Sequence, residues 1–184
     1  DPTTVLGTAS RTTEVMAGAY ATFANGGKQI KPTTIKEISR DGNVEYTYQP
    51  QPTRVFTQDV SNTVNYALQK VVTSGTGYAA ASIGRPAAGK TGTTDNNRSA
   101  WFVGYTPQLS TAVMMAKQNS KGESISLYGT GGGGSVYGGS YPARIWATYM
   151  AAATADQPVE NFTNPESLGG GESSFYGGYS DSPS

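Results

Sequence analysis

Lys90-Thr91-Gly92-Thr93-Thr94 is the stretch in which residue type and spacing could do chemistry, because it brings one ammonium and three hydroxyls together. Side chains alternate between the faces of an extended chain, so Thr91 and Thr93 would project together and could meet one carboxylate. Gly92, between them, would leave room for close packing on the opposite face. A rival pattern uses the same letters. Gly84-Arg85-Pro86-Ala87-Ala88-Gly89-Lys90-Thr91 satisfies the glycine-rich signature of a phosphate-binding loop. Such a loop needs a buried strand before it and a helix directly after it, since amides at the helix start hold the phosphates. Here Tyr78 to Ile83 is alanine-rich, and Lys90 is followed by residues that read as strand and turn, ending in Asp95-Asn96-Asn97. Leu109 to Ala116 offers no aspartate for magnesium. The phosphate reading fails for want of context, and a strand edge is expected.

Composition narrows the chemistry further. The chain has no cysteine and no histidine, which excludes a cysteine nucleophile, a Ser-His-Asp triad built from this segment, and zinc sites of the usual type. Proton transfer would fall to lysine, tyrosine or a carboxylate. Thirteen basic and thirteen acidic side chains balance to a formal charge of zero, so no nucleic-acid partner is expected. No apolar run approaches the roughly 20 residues that span a bilayer, and the N-terminus lacks a signal-peptide pattern. The 184 residues open at Asp1 without an initiator Met and end in a Gly/Ser/Tyr tail. Both ends read as ragged, and a fragment of a longer protein is expected.

Around the signature, periodicity and turn residues set out the elements. Val15, Met16, Ala19, Tyr20 and Phe23 recur at helical spacing from Thr12 to Ala24, with Thr12 as N-cap and Asn25-Gly26-Gly27 as the stop. Thr34 to Arg40 and Asn43 to Tyr48 flank Asp41-Gly42, a hairpin signal, and Pro50 and Pro52 mark a connector. A second helix is read from Gln58 to Thr73, capped by Thr57, with Val60, Val64, Leu68 and Val71 as its apolar face. Ser74-Gly75-Thr76-Gly77 ends it and reads as a stop and turn rather than a substrate contact.

Gly89 to Thr93, Ala100 to Tyr105 and Leu109 to Lys117 read as three strands of an antiparallel meander, the last two joined at Thr106-Pro107-Gln108. Trp101, Phe102 and Tyr105 read as core or rim packing. Asp95 and Arg98 solvate or cap a turn. Tyr128 to Ser140 is glycine-rich, and its Gly129 to Gly134 run reads as a flexible connector. Pro142 opens a C-terminal helix in which Ile145, Trp146, Tyr149, Met150 and Ala153 recur, with Trp146, Tyr149 and Met150 packing on the sheet. Residues 1–154 are therefore read as one portion of a domain. Residues 155–184, with Pro158, Pro165 and Gly169-Gly170-Gly171, have little to bury and are expected to be a disordered tail.

A family resemblance rests on a longer run than the tripeptide. Ala88-Gly89-Lys90-Thr91-Gly92-Thr93-Thr94, followed by Ala100-Trp101-Phe102-Val103-Gly104-Tyr105-Thr106-Pro107, resembles the third active-site motif and next strand of class A penicillin-binding proteins. Met16 to Gly27, Gly75-Thr76-Gly77 and Tyr141-Pro142-Ala143-Arg144-Ile145-Trp146 support it, so that the likeness covers about Val5 to Ala153. Where many members carry an acidic residue before Ala-Trp-Phe, this chain has Ser99. No serine has a lysine three positions on, and no Ser-x-Asn triplet is present. In the family both motifs lie upstream of the helix that begins near Thr12.

The resemblance implies an α/β (α+β) fold, an antiparallel sheet flanked by helices, completed by an upstream half of the same domain. It implies a serine-type D-Ala-D-Ala transpeptidase with no cofactor and no metal. Lys90 would attract the substrate's terminal carboxylate and hydrogen-bond the Ser-x-Asn serine. Thr93 would give its backbone N–H to the oxyanion hole, and Thr91, Gly92, Thr93 and Thr94 would bind substrate. Implied partners are the upstream half, a peptidoglycan stem peptide added along the strand edge, and β-lactam antibiotics. The implied setting is extracytoplasmic, with a membrane anchor and a glycosyltransferase module outside this chain. A β-lactamase-like hydrolase and a catalytically silent binding module remain as alternatives.

Overall fold

Thr12 is extended and its hydroxyl accepts the N–H of Val15 at 3.2 Å, which starts helix α1 at Thr13–Ala24. Gly26 and Gly27, both at positive φ, end it and turn the chain into a two-residue strand, β1 at Lys28–Gln29. The computed structural model describes residues 11–166, and this opening helix is the first element among them. β2 at Glu37–Arg40 and β3 at Asn43–Thr47 form the hairpin read from Asp41-Gly42, whose two residues sit at φ of 50° and 81°. β4 at Thr53–Arg54 returns to pair with β1, a contact that no local pattern announced.

Helix α2 spans Gln58–Thr73, and the Thr57 hydroxyl accepts the N–H of Val60. Its buried face differs from the expected one. Ser61, Asn62, Asn65 and Val72 are buried, whereas Val60 is 44% exposed. The reason is hydrogen bonding. Asn65 donates to the carbonyl of Phe23 and accepts the Tyr105 hydroxyl at 2.7 Å, while Gln58 donates to Asn62. Buried amides are tolerated when their partners are met; those of Asn65 come from α1 and β6, and the Asn62 oxygen is met by Gln58 within α2.

The main sheet has four strands, β5 at Ala88–Thr93, β6 at Ser99–Tyr105, β7 at Ser110–Gln118 and β8 at Ser124–Ile125, in that order and all antiparallel. The expected meander is present, with β8 added at the far end of β7. Register partners share a face, so Gly89, Thr91 and Thr93 lie with Gly104, Phe102 and Ala100. Ala88, Lys90 and Gly92 lie on the other with Tyr105, Val103 and Trp101. Helix α3, Tyr141–Ala153, covers the first face, where Trp146 meets Phe102 edge-on with centroids 5.3 Å apart. Such a pair adds about 1 kcal/mol beyond the area it buries. α1 covers the second face through Tyr20, which meets Tyr105 edge-on. Burial, then the neighbouring Tyr20 phenol, pushes the Tyr105 hydroxyl well above the usual phenol range, so it stays a neutral donor to Asn65.

Phe102 reaches its position because three glycines make way. A Cβ at Gly77, Gly89 or Gly104 would come within 2.8, 2.8 and 2.7 Å of its ring. Gly89 is thus a strand residue under an aromatic ring. Tyr78–Ile83 before it is a short 3-10 helix, and Lys90 lies within a strand that runs on to Thr93 instead of opening a helix, so the phosphate-loop context is missing.

Three packing expectations are corrected. Trp146 and Met150 are fully buried, but Tyr149 is 52% exposed on the outer face of α3. The glycine-rich Gly129 to Gly134 run is a closed turn, with Thr130 N–H on Leu127, Gly129 N–H on Gly134 and the Tyr141 hydroxyl on Gly131. Leu127 and Val136, on either side, are buried with Ala100 in a small second core. Residues 155–166 have no regular element, yet Phe162 packs edge-on against Tyr105 and Gln108 bonds Pro158 and Glu160. Composition counted their prolines and missed that aromatic contact. The rest of the expected tail, like Val5 to Ser10, lies outside the described residues.

Candidate active site

Among the described residues β5 is the first strand of its sheet, paired on one side only, by β6. An edge strand leaves a row of backbone donors and acceptors open to an added strand. Lys90 and Thr93 are exposed on it, and Thr91 and Gly92 are partly so. The ammonium of Lys90 donates to the carbonyl of Thr91 at 2.9 Å, so the side chain bends back along the strand. Among the described residues the ion pair is Arg40 with Glu45, far along the chain, which leaves the charge of Lys90 without a carboxylate partner. Two concave surfaces lie elsewhere, one between α1 and the β6–β7 turn and one beside α3. β5 presents its unpaired edge, with Lys90 and Thr93 exposed on it.

Thr91 and Thr93 share a face, as alternation requires, and each hydroxyl has a protein partner. The Thr91 hydroxyl lies 2.7 Å from that of Thr76, and the Thr93 hydroxyl accepts the N–H of Gly138 at 3.3 Å. Thr94 stands apart from them. Its hydroxyl accepts the N–H of Ser99 at 2.9 Å and pairs with the Ser99 hydroxyl, closing the turn at Asp95–Asn97. Ser99 thereby makes a neutral contact at the position where an ion pair would need an acid. Gly92 is also used differently from expectation. A Cβ there would meet only Cβ of Trp101, at 3.4 Å. The close approach is made by Gly138, whose Cβ would fall 2.1 Å from the Trp101 carbonyl and 2.9 Å from the Gly92 nitrogen.

Sequence reasoning missed the segment that makes this approach. Val136 to Gly139 crosses β5, and Asn97 holds it there. Asn97 sits at φ 54°, donates from its side-chain amide to the Val136 carbonyl, and accepts the Val136 N–H at 3.0 Å. The amide imitates a peptide unit, as asparagine in turns can. Gly139 follows, its Cβ position 2.0 Å from the carbonyl of Thr76. Tyr137, 57% exposed, stands beside Gly138. The available signal was the adjacent pair Gly138-Gly139, which marks close backbone approach as readily as freedom. Of the aromatics expected at the core or rim, Phe102 and Tyr105 are fully buried and Trp101 is half-buried.

The arrangement can receive an extended peptide and its acidic end. Residues 4–151 match the family described as penicillin binding protein transpeptidase domain. Penicillin-binding protein 1A of Neisseria gonorrhoeae is 33% identical over 181 residues, which cover 93% of this chain and 21% of that protein. Its namesake in Mycolicibacterium smegmatis is 35% identical over 163 residues, or 84% of this chain and 20% of the relative. The chain thus spans about a fifth of the length of these relatives, at 21% and 20%. Among solved structures, PonA1 of Mycobacterium tuberculosis in complex with penicillin V superposes with a TM-score of 0.78 and 32% identity, covering 91% of this chain and 44% of that one. Penicillin-binding protein 1A of Haemophilus influenzae gives 0.76 and 26%, over 90% and 30% of the two chains. A match this long, joined to an edge strand that carries Lys-Thr-Gly-Thr under a fixed crossing segment, makes the chain a member of the penicillin-binding protein transpeptidase family.

Proposed function

We propose that this chain is the C-terminal portion of a D-Ala-D-Ala transpeptidase domain and forms one wall of its active site. Acyl transfer needs a nucleophile, a base, donors for the developing oxyanion and a receptor for the terminal carboxylate. This chain supplies the last two. The nucleophilic serine and its lysine belong to the upstream S-x-x-K motif, and a Ser-x-Asn serine lies opposite Lys90. Serine oxygen attacks the penultimate D-Ala carbonyl and the terminal D-Ala leaves. An amine of a neighbouring stem peptide then takes the acyl group and closes the cross-link.

In this scheme Lys90 places an unneutralised ammonium at the strand margin and draws in the carboxylate. The hydroxyls of Thr91 and Thr93 donate to that carboxylate. The backbone N–H of Thr93, with that of the serine, receives the oxyanion, and one such donor contributes about 3 kcal/mol to the transition state. The stem peptide lies along β5 as an added strand, over Gly92. Thr94, engaged with Ser99, acts by fixing the turn beyond the site. The intact protein would act outside the cytoplasm, held by an anchor beyond this chain, and would carry a peptidoglycan glycosyltransferase module. Among the described residues no helix is long and apolar enough to cross a membrane.

The observation that carries this reading is the edge position of β5, with Lys90, Thr91 and Thr93 open along it. A labelled penicillin tests it. The present chain alone should take up no covalent label, whereas the full-length protein should be labelled on a serine upstream of residue 1. Stable label supports the transpeptidase, and rapid release of label would point to a hydrolase. Absence of label on the full-length protein would point to a silent module.

A further inference from the structure

A hydroxyl has one proton to give and two lone pairs with which to accept. For Thr91 and Thr93 to grip a carboxylate, each must aim that single proton outward. Thr93 is set to do so, since a backbone N–H can only donate and Gly138 N–H already loads its oxygen. Thr91 has a different neighbour. Its oxygen lies 2.7 Å from that of Thr76, and either hydroxyl could be the donor. If Thr91 gives its proton to an anion, Thr76 must supply the other one. The chain then runs from Thr76 to Thr91 to the carboxylate, and each bond polarises the next.

Thr76 is held where this requires. A Cβ at Gly75 would lie 2.8 Å from Cα of Val71, and one at Gly77 2.8 Å from the Phe102 ring, so the backbone on both sides of Thr76 is pressed against its surroundings. The N–H of Gly77 is tied to Val71 at 2.9 Å, and Gly139 closes over the Thr76 carbonyl. The residue between two glycines at the end of α2 is therefore placed from three directions, with its own hydroxyl aimed at β5.

We propose that Thr76 is a positioning residue of the carboxylate grip, which orients the proton of Thr91 toward the ligand and touches no substrate itself. This rests on the transpeptidase reading above. A merely structural Thr76 would tie the turn to the strand and affect all acylating agents alike. The proposed one discriminates by the ligand's charge.

The test uses the full-length protein and benzylpenicillin, with its methyl ester as the uncharged probe. Thr76→Val should lower the second-order acylation rate with benzylpenicillin about tenfold, the effect of one charge-assisted hydrogen bond. The ester's rate should stay unchanged, and Thr76→Ser should restore the wild-type rate with benzylpenicillin. In a Thr91→Val background, Thr76→Val should have no further effect, because its route to the ligand is gone. Equal losses with acid and ester, no loss at all, or full additivity with Thr91→Val would each overturn the proposal while leaving the transpeptidase reading intact. A wild-type protein that benzylpenicillin fails to acylate would overturn both.

Discussion

Two turns in this chain each hold two successive residues at positive φ and put them to opposite uses. Asp41 and Gly42, between β2 and β3, sit at φ of 50° and 81°, and Asn96 and Asn97, beyond β5, at 56° and 54°. Each places two successive residues in the left-handed region, which disfavours a residue with a side chain. At Asp41-Gly42 the turn reverses the chain and nothing more, for every residue of β2 and β3 is exposed. At Asn96-Asn97 the same geometry aims an amide at Val136, and so ties residues 39 positions apart. Positive φ in a hairpin is a local solution. Beside β5 it is part of a tertiary clamp that keeps Gly138 on Thr93.

The strongest way to break the contrast is to lift the clamped segment off the sheet. Gly138→Ala sets a Cβ 2.1 Å from the Trp101 carbonyl, a backbone atom that cannot swing aside. The segment must move, and the Thr93 hydroxyl loses its N–H donor. Thermal denaturation should register a loss of roughly 1–3 kcal/mol, as for overpacking elsewhere. Acylation of the full-length protein by penicillin should slow about tenfold, because the Thr93 proton is no longer directed outward. Wild-type acylation in this variant would mean that the crossing segment is scaffolding without a part in the site.

A gentler change separates backbone from side chain. Asn97→Gly keeps the left-handed turn, and relieves its strain, but removes both bonds to Val136. The net expectation is a loss of about 1–2 kcal/mol, with the two lost bonds outweighing the relieved strain. Hydrogen exchange should locate it, with the Val136 and Gly138 amides exchanging faster while those of β6 keep their protection. Acylation should fall less than for Gly138→Ala. Unchanged protection at Val136 would show that packing of Leu127 and Val136 holds the segment without Asn97.

The same two turns explain what the sequence made legible. Asp41-Gly42, the Thr12 and Thr57 caps and the meander are all signalled within a few residues, and each is found close to its expected place. That Lys90 to Thr93 is a strand was legible for the same reason, and alternation alone puts Thr91 and Thr93 on one face. The face of α2 was not. Periodicity favours Val60 and Val64, but Asn65 is buried because Phe23 and Tyr105, 42 and 40 residues away, satisfy its amide. Gly138 and Gly139 read as slack for a related reason. Their lack of side chains answers to Trp101 and Thr76, which no window around residue 138 contains.

The smallest expected effect completes the pairing, because a glycine can be placed at nearly the same φ in the other turn. Asp41→Gly leaves Gly42 in place and alters a residue whose side chain makes no hydrogen bond or ion pair among the described residues, in a hairpin whose strands, among those residues, pair only with each other. Glycine accepts a φ of 50° without strain but adds freedom to the unfolded chain, so the two effects oppose. Stability should change by no more than about 0.5 kcal/mol, the usual range at such surface positions. Acylation by penicillin should be indistinguishable from wild type. If Asp41→Gly slowed acylation as Asn97→Gly does, the hairpin would have to reach the site through residues outside this chain, and the division between a local turn and a tertiary clamp would fail.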